Sequence, residues 1–303
     1  MAASGIAKFS DDLATAAMQS GESVITVFGR RRTPSSGIHW RAGIVVTADH
    51  TIQREQDISV VLPSKKRVEA KLAGRDPGTD LAVLKLDGGN AQVPAFDDPT
   101  KLKLANFVLA LGRTRAGDLV ASSGIIGGIG GKWRTWRGGR VDQSIRLALE
   151  LYPGFSGGPL ASAEGKVLGV NTSGLGRGRP ITIPVATVNR TVDELLEKGY
   201  VARPYLGIAM QPVTIPESLA GKVKSSPSGG LMVLHVEASG PADNAGIVLG
   251  DVIVELEGNP ALDIENIREL LASAKIGDSL LATVLRAGAP VELSVKLAER
   301  PAR

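Results

Sequence analysis

Three side chains able to act together lie in the order His50, Asp80, Ser156 along this chain. Ser156 sits in Gly154-Phe155-Ser156-Gly157-Gly158-Pro159-Leu160, with an apolar run at 167–170 not far beyond. A serine hydroxyl is a poor nucleophile until a base takes its proton and fixed donors receive the charge it creates. Flanking glycines allow a tight, strained turn that exposes Oγ and aims main-chain N–H groups at one point. Taken alone, the stretch also reads as a Gly-rich β-turn with an inert serine. The residues upstream favour chemistry. His50 ends the apolar run 42–50, and Asp80 opens another at 79–86. His-Asp-Ser is one of the chain orders that nucleophilic triads use, the order of chymotrypsin-like β-barrel proteases. His50 would deprotonate Ser156 and return the proton to the leaving amine, while Asp80 fixes the imidazole tautomer. The N–H groups of Gly154 and Ser156 would form the oxyanion hole.

The choice of base is narrow, because the only other histidines are His39 and His235. Asp49 and Asp76 compete with Asp80. Neighbouring strand residues point to opposite faces, which disfavours Asp49 beside His50. Asp76 lies in Arg75-Asp76-Pro77-Gly78, a turn in which aspartate is at home.

The elements that must position these residues are short. Residues 6–20 predict an amphipathic helix. From 23 to about 188, β-branched runs alternate with Gly, Pro and Asp turns: 24–28, 44–47, 58–62, 81–86, 107–111, 120–126, 145–151, 167–171 and 181–183. That pattern predicts an all-β barrel or sandwich. Residues 189–198 read as a closing helix, 199–204 as a linker, and 264–274 as a helix of a second domain.

Ser156 with its glycines, Thr79-Asp80-Leu81-Ala82-Val83-Leu84-Lys85 and Thr47-Ala48-Asp49-His50 resemble the HtrA (Deg) family of serine proteases. Residues from about 203 resemble a PDZ domain of the HtrA type, through Tyr205-Leu206-Gly207-Ile208, the run 240–246 and Gly250-Asp251-Val252-Ile253. The resemblance implies a mainly β fold, a chymotrypsin-like double β-barrel followed by a smaller PDZ domain. It divides the chain into an N-terminal segment (1–22), a protease domain (23–198), a linker (199–204) and a PDZ domain (205–300). It further implies a cofactor-free endopeptidase acting on unfolded or misfolded polypeptides and assembling as a homotrimer, with Phe9 a candidate contact. Peptide C-termini would add as a strand beside the strand that follows the Tyr-Leu-Gly loop. The N–H groups of Leu206, Gly207 and Ile208 would hold the carboxylate, after Tyr205, and Ile208, Met210, Ile267 and Leu271 would line an apolar pocket.

In trypsin-like proteases the residue six before the nucleophile lies at the base of the primary pocket. Here it is Glu150, which would favour Lys or Arg in the substrate. Asn171, Thr172 and Ser173 would form the edge and wall that align the substrate. Phe155 departs from the family, which usually has Asn there, and no ion pair with a new N-terminus is open to it. Activation would then depend on ordering of the loop, through the PDZ domain or oligomerisation. Phe155 is also one reason to weigh a catalytically silent peptide-binding scaffold of the same fold.

With 303 residues and 43% hydrophobic content there is chain enough for two domains with cores. Cysteine is absent, which excludes disulfides and thiolate metal sites. Net charge is +4 and uneven, with Arg30-Arg31-Arg32 and the Arg/Trp-rich 132–140 as clusters. Interleaved Arg and Trp can bind nucleic acid, but no nucleic-acid motif accompanies them, and a solvated basic loop is the better reading. The resemblance places 130–142 at a regulatory loop, with Trp133 and Trp136 as sensing contacts. No apolar run reaches membrane-helix length and no signal peptide is read. The expected compartment is therefore cytoplasmic as the chain stands, or the cell envelope if a leader has been removed.

Overall fold

The computed structural model describes residues 5–176, 179–223 and 228–299, and divides the chain into two compact units, Met1–Val201 and Ala202–Arg303. The first unit opens with α1 (Gly5–Gly21) and then builds two closed six-stranded antiparallel barrels.

The first barrel is formed by β1 (Val24–Phe28), β2 (Ser35–Arg41), β3 (Ile44–Ala48), β4 (Ile58–Val61), β5 (Arg67–Asp76) and β6 (Leu81–Leu86), closed by pairing of β1 with β4. Ile25, Val27, Val45, Val60, Ala82 and Leu84 fill its interior. Strands β2 and β5 lie outside the apolar runs read from the sequence. In β5, Val68 and Ala70 are buried while Arg67, Glu69 and Lys71 are exposed, the alternation of a half-buried strand whose charges mask it.

The second barrel uses β7 (Phe107–Arg113), β8 (Leu119–Gly130), a hairpin of β9 (Trp133–Arg134) and β10 (Arg140–Val141) standing off its end, β11 (Ser144–Ala148), β12 (Pro159–Ser162), β13 (Val167–Thr172) and β14 (Ile181–Pro184). Helix α2 (Val185–Lys198) starts four residues before the predicted helix, and its buried Val185, Val188, Val192 and Leu195 repeat at helical spacing. It ends at Gly199, whose φ of 83° is the left-handed cap that glycine supplies.

The second unit contains β15 (Pro204–Tyr205), β16 (Ile208–Thr214), β17 (Gly229–Val236), β18 (Val252–Leu256), β19 (Asn259–Pro260), β20 (Ser279–Arg286), β21 (Ala289–Lys296) and β22 (Ala298–Glu299), with α3 (Glu217–Ala220), α4 (Pro241–Asn244) and α5 (Ile264–Ser273). The main sheet runs β16-β17-β18-β20-β21, which leaves β16 at an edge, and β15 pairs separately with β22. A capping box between Asp263 and Asn266 starts α5.

Candidate active site

Strand β3 stops at Ala48, and a single 3-10 turn, Asp49–Thr51, carries His50. The residue after a strand is thus lifted out of the ladder, which an uninterrupted run to His50 would not do. Asp80 adopts φ 56° immediately before β6, a left-handed conformation unusual for a residue with a side chain. The turn ahead of it is tied down by Asp76, whose carboxylate accepts from Gly78 N (3.0 Å), Thr79 N (3.1 Å) and Thr79 Oγ1 (2.7 Å). The competing aspartates therefore have other work: Asp76 builds the turn, and Asp49 faces Arg75 (2.6 Å).

His50 Nδ1 lies 2.8 Å from Asp80 Oδ2 and 3.1 Å from Oδ1, and the His50 main-chain N–H donates to the same carboxylate at 2.9 Å. Thr172 Oγ1 also donates to Asp80 Oδ2, and Gly174 N donates to Thr172 Oγ1 at 2.9 Å. A carboxylate held by three donors, itself 2% exposed, fixes the imidazole with Nδ1 protonated and the Nε2 lone pair outward. A side chain at Gly174 would come within 2.6 Å of Asp80 Oδ2 and 2.7 Å of His50 Nδ1, so only glycine fits. His39 is fully buried with Nε2 accepting from Gly43 N, His235 is exposed on β17, and neither is bonded to a carboxylate among the described residues.

Ser156 is presented by a different device. Tyr152-Pro153-Gly154-Phe155 closes with Phe155 N donating to Tyr152 O (3.0 Å), with Gly154 at φ 100°. Proline second and a positive-φ glycine third are the signature of a type II turn. Ser36 braces it: its Oγ donates to Gly154 O (2.8 Å), and its N–H donates to Ser156 O (3.2 Å). Gly157, at φ 89°, passes so close to Ser36 that a Cβ would lie 2.1 Å from its carbonyl oxygen. The N–H groups of Gly154 and Ser156 have no acceptor among the described residues. Ser156 Oγ lies 3.2 Å from Ser173 Oγ and accepts from Ser173 N at 3.4 Å, and no bond joins it to His50 among the described residues.

Phe155 is 3% exposed, edge-on to Tyr152 with ring centroids 5.6 Å apart, and packs over Gly112. An apolar anchor takes the place of a buried ion pair beneath the turn.

The residues expected to line the primary pocket separate. Asn171 and Thr172 are fully buried scaffold. Asn171 bonds Gly158 O, Pro159 O and Thr182, and Thr172 serves Asp80, because β13 is buried on both of its faces. Ser173 is exposed beside the nucleophile. Glu150 is exposed on the stretch after β11 and bonded to nothing among the described residues, so no buried carboxylate stands as a floor for a basic side chain. Ser36, Gly174 and Arg75 escaped sequence reading because their roles rest on long-range contacts.

In the second unit, Gly207 has φ 75°, its carbonyl accepts from Glu237 N and that of Leu206 from Ala242 N. The N–H groups of Leu206 and Gly207 have no acceptor among the described residues. Ile208, Met210 and Leu271 are half-buried, whereas Ile267 is 3% exposed and belongs to the closed core. The hairpin 133–141 also divides its tryptophans: Trp133 packs against the first unit's core, and Trp136 is exposed under Arg137.

Two barrels joined at a histidine, an aspartate and a serine define the class of trypsin-like peptidases, and the trypsin-like peptidase domain family matches residues 35–170 while the PDZ domain family matches 204–297. A "Serine protease Do-like HtrA" of Lactobacillus helveticus is 35% identical over 84% of this chain and 65% of its own length. A "Probable periplasmic serine endoprotease DegP-like" of Brucella suis is 33% identical over 86% of this chain and 51% of its own. The chain thus spans about half to two thirds of these relatives. Among solved structures, an HtrA-type protease AlgW with decapeptide (TM-score 0.71, 25% identity, 96% of this chain and 99% of that one) and a serine endoprotease from Yersinia pestis (0.71, 26%, 95% and 98%) are similar throughout. The chain carries a trypsin-like peptidase domain followed by a PDZ domain, and over most of its length it is similar to HtrA and DegP-like proteases.

Proposed function

We propose that this chain is a serine endopeptidase that cleaves unfolded or misfolded polypeptides through an acyl-enzyme on Ser156. The carrying observation is the pairing of His50 with Asp80 beside a serine whose turn leaves two N–H groups uncommitted. Ser156 Oγ turns from Ser173 towards His50 Nε2 as substrate enters and attacks the carbonyl. The proton passes to His50, the oxyanion is met by Gly154 and Ser156 N–H, and collapse expels the amine with that proton. Water then repeats the sequence to free the acid. The ready-made turn argues against the silent scaffold, since Phe155 supports it from below.

The edge strand β16, with Leu206 and Gly207 N–H open, suits a peptide C-terminus added as a strand against Ile208, Met210 and Leu271. This agrees with the peptide complexes of AlgW. Exposed Ile6, Phe9 and Met18 on α1 favour a homotrimer joined through the N-terminal segment, and the Brucella relative's description favours a place in the cell envelope. The test is cleavage of casein by the wild type and Ser156→Ala, with and without peptides ending in apolar residues. Loss of cleavage in the variant is expected, and equal cleavage by both proteins refutes the assignment.

A further inference from the structure

Asp49 precedes the base, is 2% exposed, and has no part in the reaction drawn above. A buried carboxylate one residue from the imidazole needs a reason, because its charge is costly unless paired. Its partner is Arg75 on β5. Arg75 Nε donates to Asp49 Oδ1 at 2.6 Å, and Nη2 donates to Ile52 O at 3.1 Å. One planar guanidinium therefore grips both ends of the 3-10 turn that carries His50. The Asp49 N–H donates to Asp80 O at 3.0 Å, which binds the same turn to the main chain of the acid.

Arg75 is itself fixed. Its N–H donates to Gly199 O at 3.2 Å, at the end of α2, and Gly74 passes so near Gly199 that a Cβ would lie 2.4 Å from that oxygen. The next residue, Asp76, builds the turn that delivers Asp80. Burial pushes the Asp49 carboxyl up from its usual range, the Arg75 guanidinium opposes this, and the Asp80 and Asp76 carboxylates add to the upward push. The Asp49, Asp76 and Asp80 carboxylates thus repel one another, and Arg75 is set against the one next to His50 in sequence.

We propose that Arg75 is a positioning residue for the base: through Asp49 and the Ile52 carbonyl it holds the His50 turn in register with Asp80. A turn of three residues has little rigidity of its own, and the imidazole must meet Ser156 within a fraction of an ångström. A lysine can satisfy Asp49 but lacks the fork needed to reach Ile52 O as well.

The inference rests on the protease reading for its kinetic consequence, and a second readout frees it from that dependence. In Arg75→Met, kcat per titrated active site should fall about 10- to 100-fold with KM within about twofold, and Arg75→Lys should fall between it and the wild type. The double variant Arg75→Met/Asp49→Asn removes the unpaired charge, so its melting temperature should recover while kcat stays low. Independently, the His50 Nδ1 proton bridging to Asp80 is observed by NMR without substrate and assigned with His50→Gln. It should broaden or shift upfield in Arg75→Met and partly return in Arg75→Lys. Wild-type kcat together with an unchanged proton in Arg75→Met overturns the proposal. Absence of cleavage by the wild type would refute the protease reading alone, leaving the proton resonance to decide this one.

Discussion

The two halves of the site are built by opposite means. On the first barrel, His50 and Asp80 are held by side-chain and main-chain donors converging on one buried carboxylate, with Thr172 reaching across from the second. On the second barrel, Ser156 is held by its backbone, while its hydroxyl rests against Ser173 and its neighbouring N–H groups stand open. Base and acid are fixed before substrate arrives, and the nucleophile retains one rotation. The cost of catalysis is thereby confined to a side-chain torsion rather than a loop refolding.

Phe155 is where this contrast breaks most readily. Phe155→Ala should cost about 3–5 kcal/mol, the usual loss for a buried phenylalanine. The thermal transition should fall and activity should go with the turn, while the His50–Asp80 pair stays formed in whatever remains folded. Unchanged calorimetry would mean that the ring does not anchor the turn. Gly154→Ala attacks the same half more narrowly. At φ 100° a Cβ is strained, and displacement of its N–H should lower kcat about 10²- to 10³-fold, the loss typical of one oxyanion donor. A fall in KM alone would contradict that role.

Ser173→Ala sharpens the comparison in the other direction. Removing the hydroxyl that holds Ser156 Oγ should raise labelling by a fluorophosphonate a few-fold, since one modest hydrogen bond is lost in the resting state only. A slower reaction would mean that Ser173 assists attack instead.

The smallest effect is expected from His39, buried on β2 with Nδ1 unpartnered among the described residues. Burial lowers its pKa in the folded protein. The unfolded chain therefore takes the proton first, so stability is level above about pH 6.5 and declines as pH falls through the unfolded value towards the folded one. Urea titrations at pH 7.5 and 5.5 should differ more for the wild type than for His39→Gln, and equal differences would remove His39 from the account.

The residues with intrinsic signals were legible: Ser156 among glycines and the apolar run opened by Asp80. Strand β2 was not, because its Ser35-Ser36-Gly37 start carries no apolar run, and the bracing by Ser36 and the clamp from Arg75 were not, because their partners on the site lie 23 to 120 residues away in the chain. The exposure of Glu150 and the burial of Asn171 were not legible either, because position in the chain does not say which way a side chain turns.

The central claim is most directly tested by intact-mass spectrometry after treatment with a fluorophosphonate. Wild type should gain one adduct, mapped to Ser156 and absent from Ser156→Ala, at a rate that drops steeply in Asp80→Asn. An adduct elsewhere, or an equal rate in Asp80→Asn, would contradict a serine activated through the His50–Asp80 pair.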